Sequence, residues 1–288
     1  MVIAHRSARN GFVLAAALAA VLAAATLSPA AREKVRGEGP VVEEVRSVKD
    51  FHGIRHACVG TVRVAVGKEE GLIVRAEENI LPHLVTEVED GVLVVRGENG
   101  YDLRPKKEPV FEVTVRALDL IELEGSGSIR TGDLAGRTLT IRLSGSGDIE
   151  IGALDADRLD ADLAGSGDLV LRRAAAREGS FALAGSGDLR AEILDVQELE
   201  VRIAGSGGVA FGQGVAGRAW IELSGSGGLA MSGVRTGEAD VSIAGSGSVE
   251  INVADRLDAR IAGSGDIVVE GDPVIRSAVV GSGEVIRR

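Results

Sequence analysis

Apolar and polar residues alternate on both sides of a Gly-Ser-Gly triplet that occurs nine times between residues 125 and 283. Two positions before each triplet the residue is always aliphatic: Leu123, Leu143, Leu163, Leu183, Ile203, Leu223, Ile243, Ile261 and Val279. Four positions after the first glycine of each triplet it is again aliphatic: Ile129, Ile149, Leu169, Leu189, Val209, Leu229, Val249, Ile267 and Val285. Because successive side chains of a strand point to opposite faces, this pattern predicts half-buried strands on both sides of every triplet.

The triplets are regularly spaced, with six steps of 20 residues and two of 18. A fixed period in this range is typical of repeat proteins in which each repeat forms one structural unit. Eighteen of the 40 glycines lie in the triplets, so we interpret the triplets as structural bends and not as flexible linkers. The bends begin at Gly125, Gly145, Gly165, Gly185, Gly205, Gly225, Gly245, Gly263 and Gly281.

This repeat predicts an all-β fold, a parallel β-helix solenoid with coils of about 20 residues, and right-handed winding is expected. Charged residues support the stacking of coils, because Glu122, Arg142 and Asp162 alternate in sign one repeat apart. Arg130 and Glu150 form a second such pair. A leucine-rich repeat would need a Leu-x-x-Leu-x-Leu frame, which is missing, and a transmembrane barrel would need aromatic girdles that an aromatic content of 2% does not supply.

Residues 42–118 lack the triplet but keep the strand alternation, for example at 61–66 and 111–115. We predict that they form N-terminal β coils or a cap, because a solenoid must cover the open face of its first coil. Residues 119–288 are predicted to form the repeat β-helix. The whole of 42–288 is then expected to be one continuous domain.

Residues 1–31 are interpreted as a signal peptide. Arg6 and Arg9 precede an apolar stretch from Phe12 to Leu27, and small residues follow it, as at a cleavage site. The stretch is short for a membrane span and consists largely of alanine, so an uncleaved anchor is the weaker alternative. We therefore expect an exported protein, located in the periplasm, on the cell surface or outside the cell.

Charge and aromatic content restrict the choice of partner. The chain has 43 acidic and 32 basic residues and a net charge of −11, which argues against nucleic acid or an anionic membrane bound by a basic face. Cys58 is the only cysteine and is interpreted as a small buried hydrophobic residue. Trp220 directly precedes the inward-facing Ile221 and is predicted to face outward.

Three aspartates form the most tempting candidate metal site. Asp148, Asp168 and Asp188 follow consecutive triplets, and stacked coils would align their carboxylates, whose repulsion a Ca²⁺ ion would relieve. The preferred interpretation is that each aspartate stabilises its bend through its side chain. We accordingly predict no metal site, and keep calcium binding as the alternative.

Other reactive side chains do not combine into a site. The serines of the triplets, from Ser126 to Ser282, would need a base to act as nucleophiles, and the repeat region contains no histidine. The remaining candidate ligands lack the spacing of a zinc module: His52, His56, Cys58 and His83. We predict no catalytic residue and no cofactor.

Three N-terminal segments resemble a known family. Phe-His-Gly-Ile at 51–54, Val-Arg-Val-Ala-Val-Gly at 62–67 and the stretch 86–95, followed by Gly-Ser-Gly-Asp repeats, resemble the head GIN domain family of auto-transporter adhesins. The resemblance extends over residues 45–285. It implies an exported bacterial β-helical protein for which adhesion is proposed, and it carries over no catalytic motif.

We therefore expect a non-enzymatic protein of the cell envelope or cell surface that binds or scaffolds through the faces of its β-helix. Its partner would be an unknown surface or envelope ligand. No nucleic-acid partner and no integral membrane barrel within this chain are expected. The alternatives are a carbohydrate-active enzyme on the same fold and a solenoid stabilised by calcium.

Overall fold

Strands make up nearly all the regular structure in the computed structural model, which describes residues 32–288. The predicted signal peptide, residues 1–31, lies outside the described residues. The one helical segment between residues 32 and 288 is the 3-10 turn Leu81–His83. Within this part of the chain, no helix has the length and apolar character that crossing a membrane requires.

The strands divide into an N-terminal set and a repeat set. The N-terminal strands are β1 (Glu33–Arg36), β2 (Val41–Arg46), β3 (Gly53–Ala57), β4 (Thr61–Val66), β5 (Gly71–Glu77), β6 (Leu84–Glu89), β7 (Val92–Gly97), β8 (Tyr101–Arg104) and β9 (Val110–Val115). The repeat strands are β10 (Leu120–Gly125), β11 (Ser128–Thr131), β12 (Leu134–Gly145), β13 (Asp148–Gly165), β14 (Leu169–Gly185), β15 (Asp188–Gly205), β16 (Gly208–Gly225), β17 (Gly228–Gly245), β18 (Ser248–Gly263), β19 (Ile267–Glu270), β20 (Val274–Gly281) and β21 (Val285–Arg287).

Consecutive coils pair in parallel and in register, so each residue lies beside its equivalent in the next repeat. Leu143 pairs with Leu163, and Leu163 pairs with Leu183. The change from 20-residue to 18-residue spacing occurs between β17 and β18, where the register shifts after Met231 and again after Thr236. The next coil then pairs with β18 without a further shift. The predicted parallel β-helix with coils of about 20 residues is confirmed.

Each coil has three faces, which the alternation of buried residues in β13 defines. The inward residues fall into three runs: Ile149 and Ile151; Leu154 and Ala156; Leu159, Ala161 and Leu163. The alternation breaks between these runs, and a Gly-Ser-Gly bend closes the coil. We call residues 158–164 and their equivalents in the other coils the third face.

The two predicted aliphatic columns are inward-facing, and their first eight members are buried. The ninth members differ: Val279 is 41% exposed and Val285 is partly exposed. Val279 lies in β20, which pairs with β18, and Val285 lies in β21, which pairs with β19. Within the described residues, no strand pairs with the opposite edge of β20 or β21. An inward position in this coil therefore has a stacked neighbour on one side only.

The predicted charge ladders are also present. Arg142 Nη1 lies 2.7 Å from Glu122 Oε1, and Arg130 Nε lies 3.3 Å from Glu150 Oε2. Arg55 donates a second hydrogen bond of 2.7 Å to the buried Glu122. Burial alone would raise the pKa of Glu122, but the hydrogen bonds from Arg142 and Arg55 outweigh burial and lower it. Glu122 therefore stays ionised between its two guanidinium partners.

The N-terminal strands stack in an order that differs from their order in the chain. β3 and β4 pair in parallel with β10 and β11, the first repeat strands. β7 and β9, although later in the chain, lie in parallel on the opposite edges of β3 and β4. Beyond them, β6 pairs antiparallel with β7, and β5 pairs antiparallel with β9 and β2, which ends the parallel ladder. β1 and β8 form a separate two-stranded sheet.

From the second Gly-Ser-Gly bend onward, each bend is held by the backbone of the previous coil. At the third bend, the N–H groups of Ser166 and Gly167 both donate to the carbonyl oxygen of Gly145, at 2.8 and 3.3 Å. All nine first glycines have φ between 102° and 143°, a left-handed conformation that other residues rarely adopt. A Cβ on Gly167 would lie only 1.9 Å from the carbonyl oxygen of Gly147. Both glycines of the triplet are therefore required, for different reasons.

Candidate ligand-binding groove

The chain's single tryptophan lies on the third face, in the second half of β16. Its neighbours Ala219 and Ile221 are buried, while the indole of Trp220 is only partly buried and lines the surface, as predicted. Glu200 and Asp240 are its register partners on β15 and β17. Carboxylates therefore lie on both sides of the only tryptophan.

Trp220 separates two surface depressions. The larger has a volume of about 370 Å³ and extends over β13 to β16. Its lining is Arg158, Glu178, Gly179, Ser180, Glu198, Leu199, Glu200, Val201, Trp220 and Glu222. The smaller, of about 270 Å³, continues beyond the indole as far as Arg260. We call the two depressions together the Trp220 groove.

The groove exists because one coil carries small residues at the right place. Gly179 occupies an inward position where the adjacent coils have Leu159 and Leu199. The ring of Phe181 occupies part of the missing volume, since a Cβ on Gly179 would lie 3.3 Å from its Cε2 atom. The outward neighbour Ser180 is also short, so the surface is depressed between Arg158 and Trp220.

The indole is held in place by an arginine of its own strand. The guanidinium carbon of Arg218 lies 4.7 Å from the centroid of the Trp220 ring, a cation–π geometry. Arg218 Nη2 also donates to Asp240 Oδ2 at 3.1 Å. The two contacts fix the ring between two coils, which is the preorganisation that a binding site needs.

Acidic side chains outnumber basic ones in the lining of the larger depression. Arg158 is the only cation in that lining, and it hydrogen-bonds Asp160 at 2.8 Å and Glu178 at 3.1 Å. The hydrogen bond that Arg158 donates to Asp160 is the main cause of the raised pKa of Arg158, so this guanidinium stays charged. The groove combines an aromatic ring with hydrogen-bonding carboxylates. The one sequence signal near it is Gly179, a glycine in an inward column where the adjacent coils have leucine.

Each of the three candidate calcium ligands accepts a hydrogen bond from a backbone N–H group of the next coil. Asp148 Oδ1 accepts from the N–H of Asp168 at 3.1 Å, and Asp168 Oδ1 accepts from that of Asp188 at 2.9 Å. Asp188 Oδ1 accepts in turn from the N–H of Gly208 at 2.9 Å. Arg190 lies against the outer oxygens, with Nη2 2.6 Å from Asp188 Oδ2. The contacts of these carboxylates favour stabilisation of the bend.

We expect that removing divalent cations leaves the thermal unfolding temperature unchanged, because each carboxylate already accepts a backbone hydrogen bond and Arg190 pairs with Asp168 and Asp188. Asp168→Ala should destabilise the protein by about 1 kcal/mol through loss of the inter-coil hydrogen bond. Asp168→Asn, which keeps an acceptor oxygen, should restore most of that loss. The measurement is circular dichroism melting with and without EDTA and with added Ca²⁺. A melting temperature that rises with Ca²⁺ and falls in EDTA would support the calcium alternative instead.

The histidines do not come together. His52 Nδ1 contacts Asp119 at 2.8 Å and His83 Nδ1 contacts Glu98 at 2.7 Å, both near the surface. His56 is fully buried, beside Cys58. Burial raises the pKa of the Cys58 thiol to about 12. Between residues 32 and 288, no three His, Cys, Asp or Glu side chains are arranged to hold a metal ion.

His56 occupies the inward column of Leu123 and Leu143. Its Nε2 atom lies 2.9 Å from the carbonyl oxygen of Gly60, and its ring packs edge-on against Phe111. Burial lowers the pKa of His56, and hydrogen bonds to backbone carbonyls offset only part of the effect. The imidazole is therefore neutral in the folded protein.

The burial of His56 predicts a loss of stability in mild acid. The unfolded chain binds a proton near pH 6.5 and the folded protein binds it only at lower pH, so stability falls as the pH drops below about 6.5. The slope contributed by His56 is at most about 1.4 kcal/mol per pH unit, the value for one proton. His56→Leu, which matches the column, should remove this contribution. Urea unfolding from pH 5 to 8 tests it, and identical pH profiles for wild type and variant would contradict it.

The family model described as "Putative auto-transporter adhesin, head GIN domain" matches residues 50–212 and 175–273 of the chain. The crystal structure of a "putative lipid binding protein" from Parabacteroides distasonis has a TM-score of 0.67 and 25% identity, covering 89% of this chain and 100% of its own. A "putative adhesin" from Parabacteroides merdae has a TM-score of 0.67 and 21% identity, covering 89% and 99%. A second "putative adhesin", from P. distasonis, has the same TM-score and 19% identity, covering 89% and 100%. No curated protein matches the chain.

Proposed function

We propose that this chain, which belongs to the head GIN domain family, is an exported, non-enzymatic surface protein of the adhesin type. In this proposal it binds its ligand through the Trp220 groove. The family's description favours adhesion, and the sequence of residues 1–31 favours export. The P. distasonis relative, named for lipid binding, suggests lipid as a second class of ligand.

The observation that carries this proposal is the groove itself. Ligand sites are concave, combine apolar surface with a few placed polar groups, and commonly have volumes above about 300 Å³. The larger depression, of about 370 Å³, meets this description. Its indole is held by Arg218, and Arg158 is held by Asp160 and Glu178, so the walls are formed before a ligand arrives.

The proposal is tested by measuring how the purified protein binds to immobilised cell-surface proteins, glycans and lipid vesicles. Trp220→Ala should reduce binding to the recognised surface at least about tenfold, because aromatic residues dominate binding energies. Val215→Ala is the control, since Val215 is 53% exposed in a different part of the coil. Binding by wild type that Trp220→Ala leaves intact would show that the groove is not the site.

A non-enzymatic role predicts binding without turnover. Polysaccharides incubated with the protein should yield no new reducing ends, whether or not they bind. Cleavage that disappears in Asp148→Ala or Asp168→Ala would favour the carbohydrate-active enzyme instead. Binding to vesicles alone, with no glycan or protein bound, would favour the lipid alternative.

A further inference from the structure

The carboxylates of the Trp220 groove are not fully balanced by the protein's own cations. Glu178, Glu198, Glu200 and Glu222 line the larger depression together with Arg158. Arg158 and Arg177 both contact Glu178, and Arg202 contacts Glu200 and lies 3.8 Å from Glu222. Among the described residues, no basic side chain forms an ion pair with Glu198.

Neither register partner of Glu198 supplies it with a cation. It is the register partner of Glu178 on one side and of Arg218 on the other. The charge of Glu178 is compensated by Arg158 and Arg177, whereas Glu198 has no cation of its own. Arg218 does not pair with Glu198, because its guanidinium is directed to Asp240 at 3.1 Å and to Glu238 at 4.0 Å. A cation from outside the chain would therefore be stabilised at Glu198.

The indole provides the second half of a cation site. Glu200 on β15 is the register partner of Trp220 on β16, so a cation at Glu200 lies on the strand next to the ring. Aromatic rings attract ammonium and guanidinium groups within about 6 Å of the ring centroid. Trp220 lines both depressions, so the ring is accessible from both, although Arg218 already lies over it.

We propose that the Trp220 groove binds a lysine or arginine side chain on an extended segment of a partner protein, with the charged group at Glu198 and Glu200 and the stem against Trp220. This inference rests on the proposed function and specifies its ligand. The two depressions lie in succession across β13 to β18, which suits an extended chain better than a single small amine. The net charge of −11 attracts a basic partner and repels an anionic one.

The single tryptophan makes the test direct, because all tryptophan fluorescence of the protein comes from the groove. The probes are an octapeptide of alternating glycine and lysine, its arginine counterpart, and the lysine peptide with every amine acetylated. Free lysine amide distinguishes a small amine from a peptide. Both basic peptides should change the fluorescence saturably, with an affinity that falls as NaCl is raised, and the acetylated peptide should not.

Glu198→Gln should weaken binding of the lysine peptide roughly threefold to fivefold, as expected for a solvent-accessible ion pair. Glu192→Gln is the matched control, because it removes the same charge from an exposed residue outside the groove.

Equal loss in both variants would mean that only net charge matters, and binding of the acetylated peptide would exclude cation recognition. Free lysine amide binding as tightly as the peptide would overturn the extended partner. If Trp220→Ala abolishes surface binding while basic peptides do not bind, the proposed function stands and this inference fails.

Discussion

Replacing Gly167 with alanine is expected to cost about 3 kcal/mol of folding free energy or more, through forced overpacking. The new Cβ would lie 1.9 Å from the carbonyl oxygen of Gly147 and 3.0 Å from its carbonyl carbon. Those atoms belong to the backbone of the stacked coil, so they cannot move aside without disturbing the bend. The measurement is the urea or thermal unfolding midpoint followed by circular dichroism.

Two control variants isolate this contact. Gly132→Ala makes the same chemical change where no atom lies within 4 Å of the new Cβ, and should be neutral within about 0.5 kcal/mol. Ser166→Ala removes an exposed hydroxyl but keeps the backbone hydrogen bond to Gly145. If Gly167→Ala were as stable as these two, the explanation of the triplet by contacts between coils would be wrong.

Replacing Phe181 with alanine should destabilise the protein by about 3–5 kcal/mol, the usual cost of removing a buried phenylalanine. Phe181 is 1% exposed, and its ring centroid lies 5.2 Å from that of Phe211. The Phe181 ring also fills the space beside Gly179, beneath the groove. Because Gly179 has no side chain, it cannot fill the cavity that Phe181→Ala would leave. Thermal unfolding measures the loss.

Phe181→Leu separates volume from shape at the same site, and should lose clearly less stability than the alanine variant. Val215→Ala, at an exposed position, should lose almost none. Because Phe181 supports the floor of the groove, Phe181→Ala should also weaken ligand binding at temperatures where the protein remains folded. An alanine variant that melts like wild type would show that this part of the core packs differently.

The fold of the repeat region could be predicted because its signals are local and repeated. Each triplet places a glycine at positive φ and another against the backbone of the previous coil, and each flanking pair of aliphatic residues marks an inward column. Equivalent residues such as Leu143 and Leu163 are then brought into register by the period itself. The charge pairs, including Glu122 with Arg142, follow from the same stacking.

Two features could not be predicted in the same way. In the N-terminal part, β7 and β9 lie on the far side of β3 and β4, an order that depends on pairing between strands distant in the chain. The groove depends on the short outward side chain of Ser180 between Arg158 and Trp220, next to an inward glycine whose space the Phe181 ring partly fills. A sequence pattern shows which residues alternate, but not which neighbouring side chain occupies the space that a glycine leaves.

The most direct test of a surface-binding function is whether the protein is exposed on intact cells. The full-length tagged chain is expressed in a Gram-negative host, and protease is added before and after the outer membrane is opened. The proposed function predicts digestion on intact cells, where the Trp220 groove can reach a ligand. Protection on intact cells, with digestion only after the membrane is opened, would place the protein in the periplasm and contradict an adhesin role.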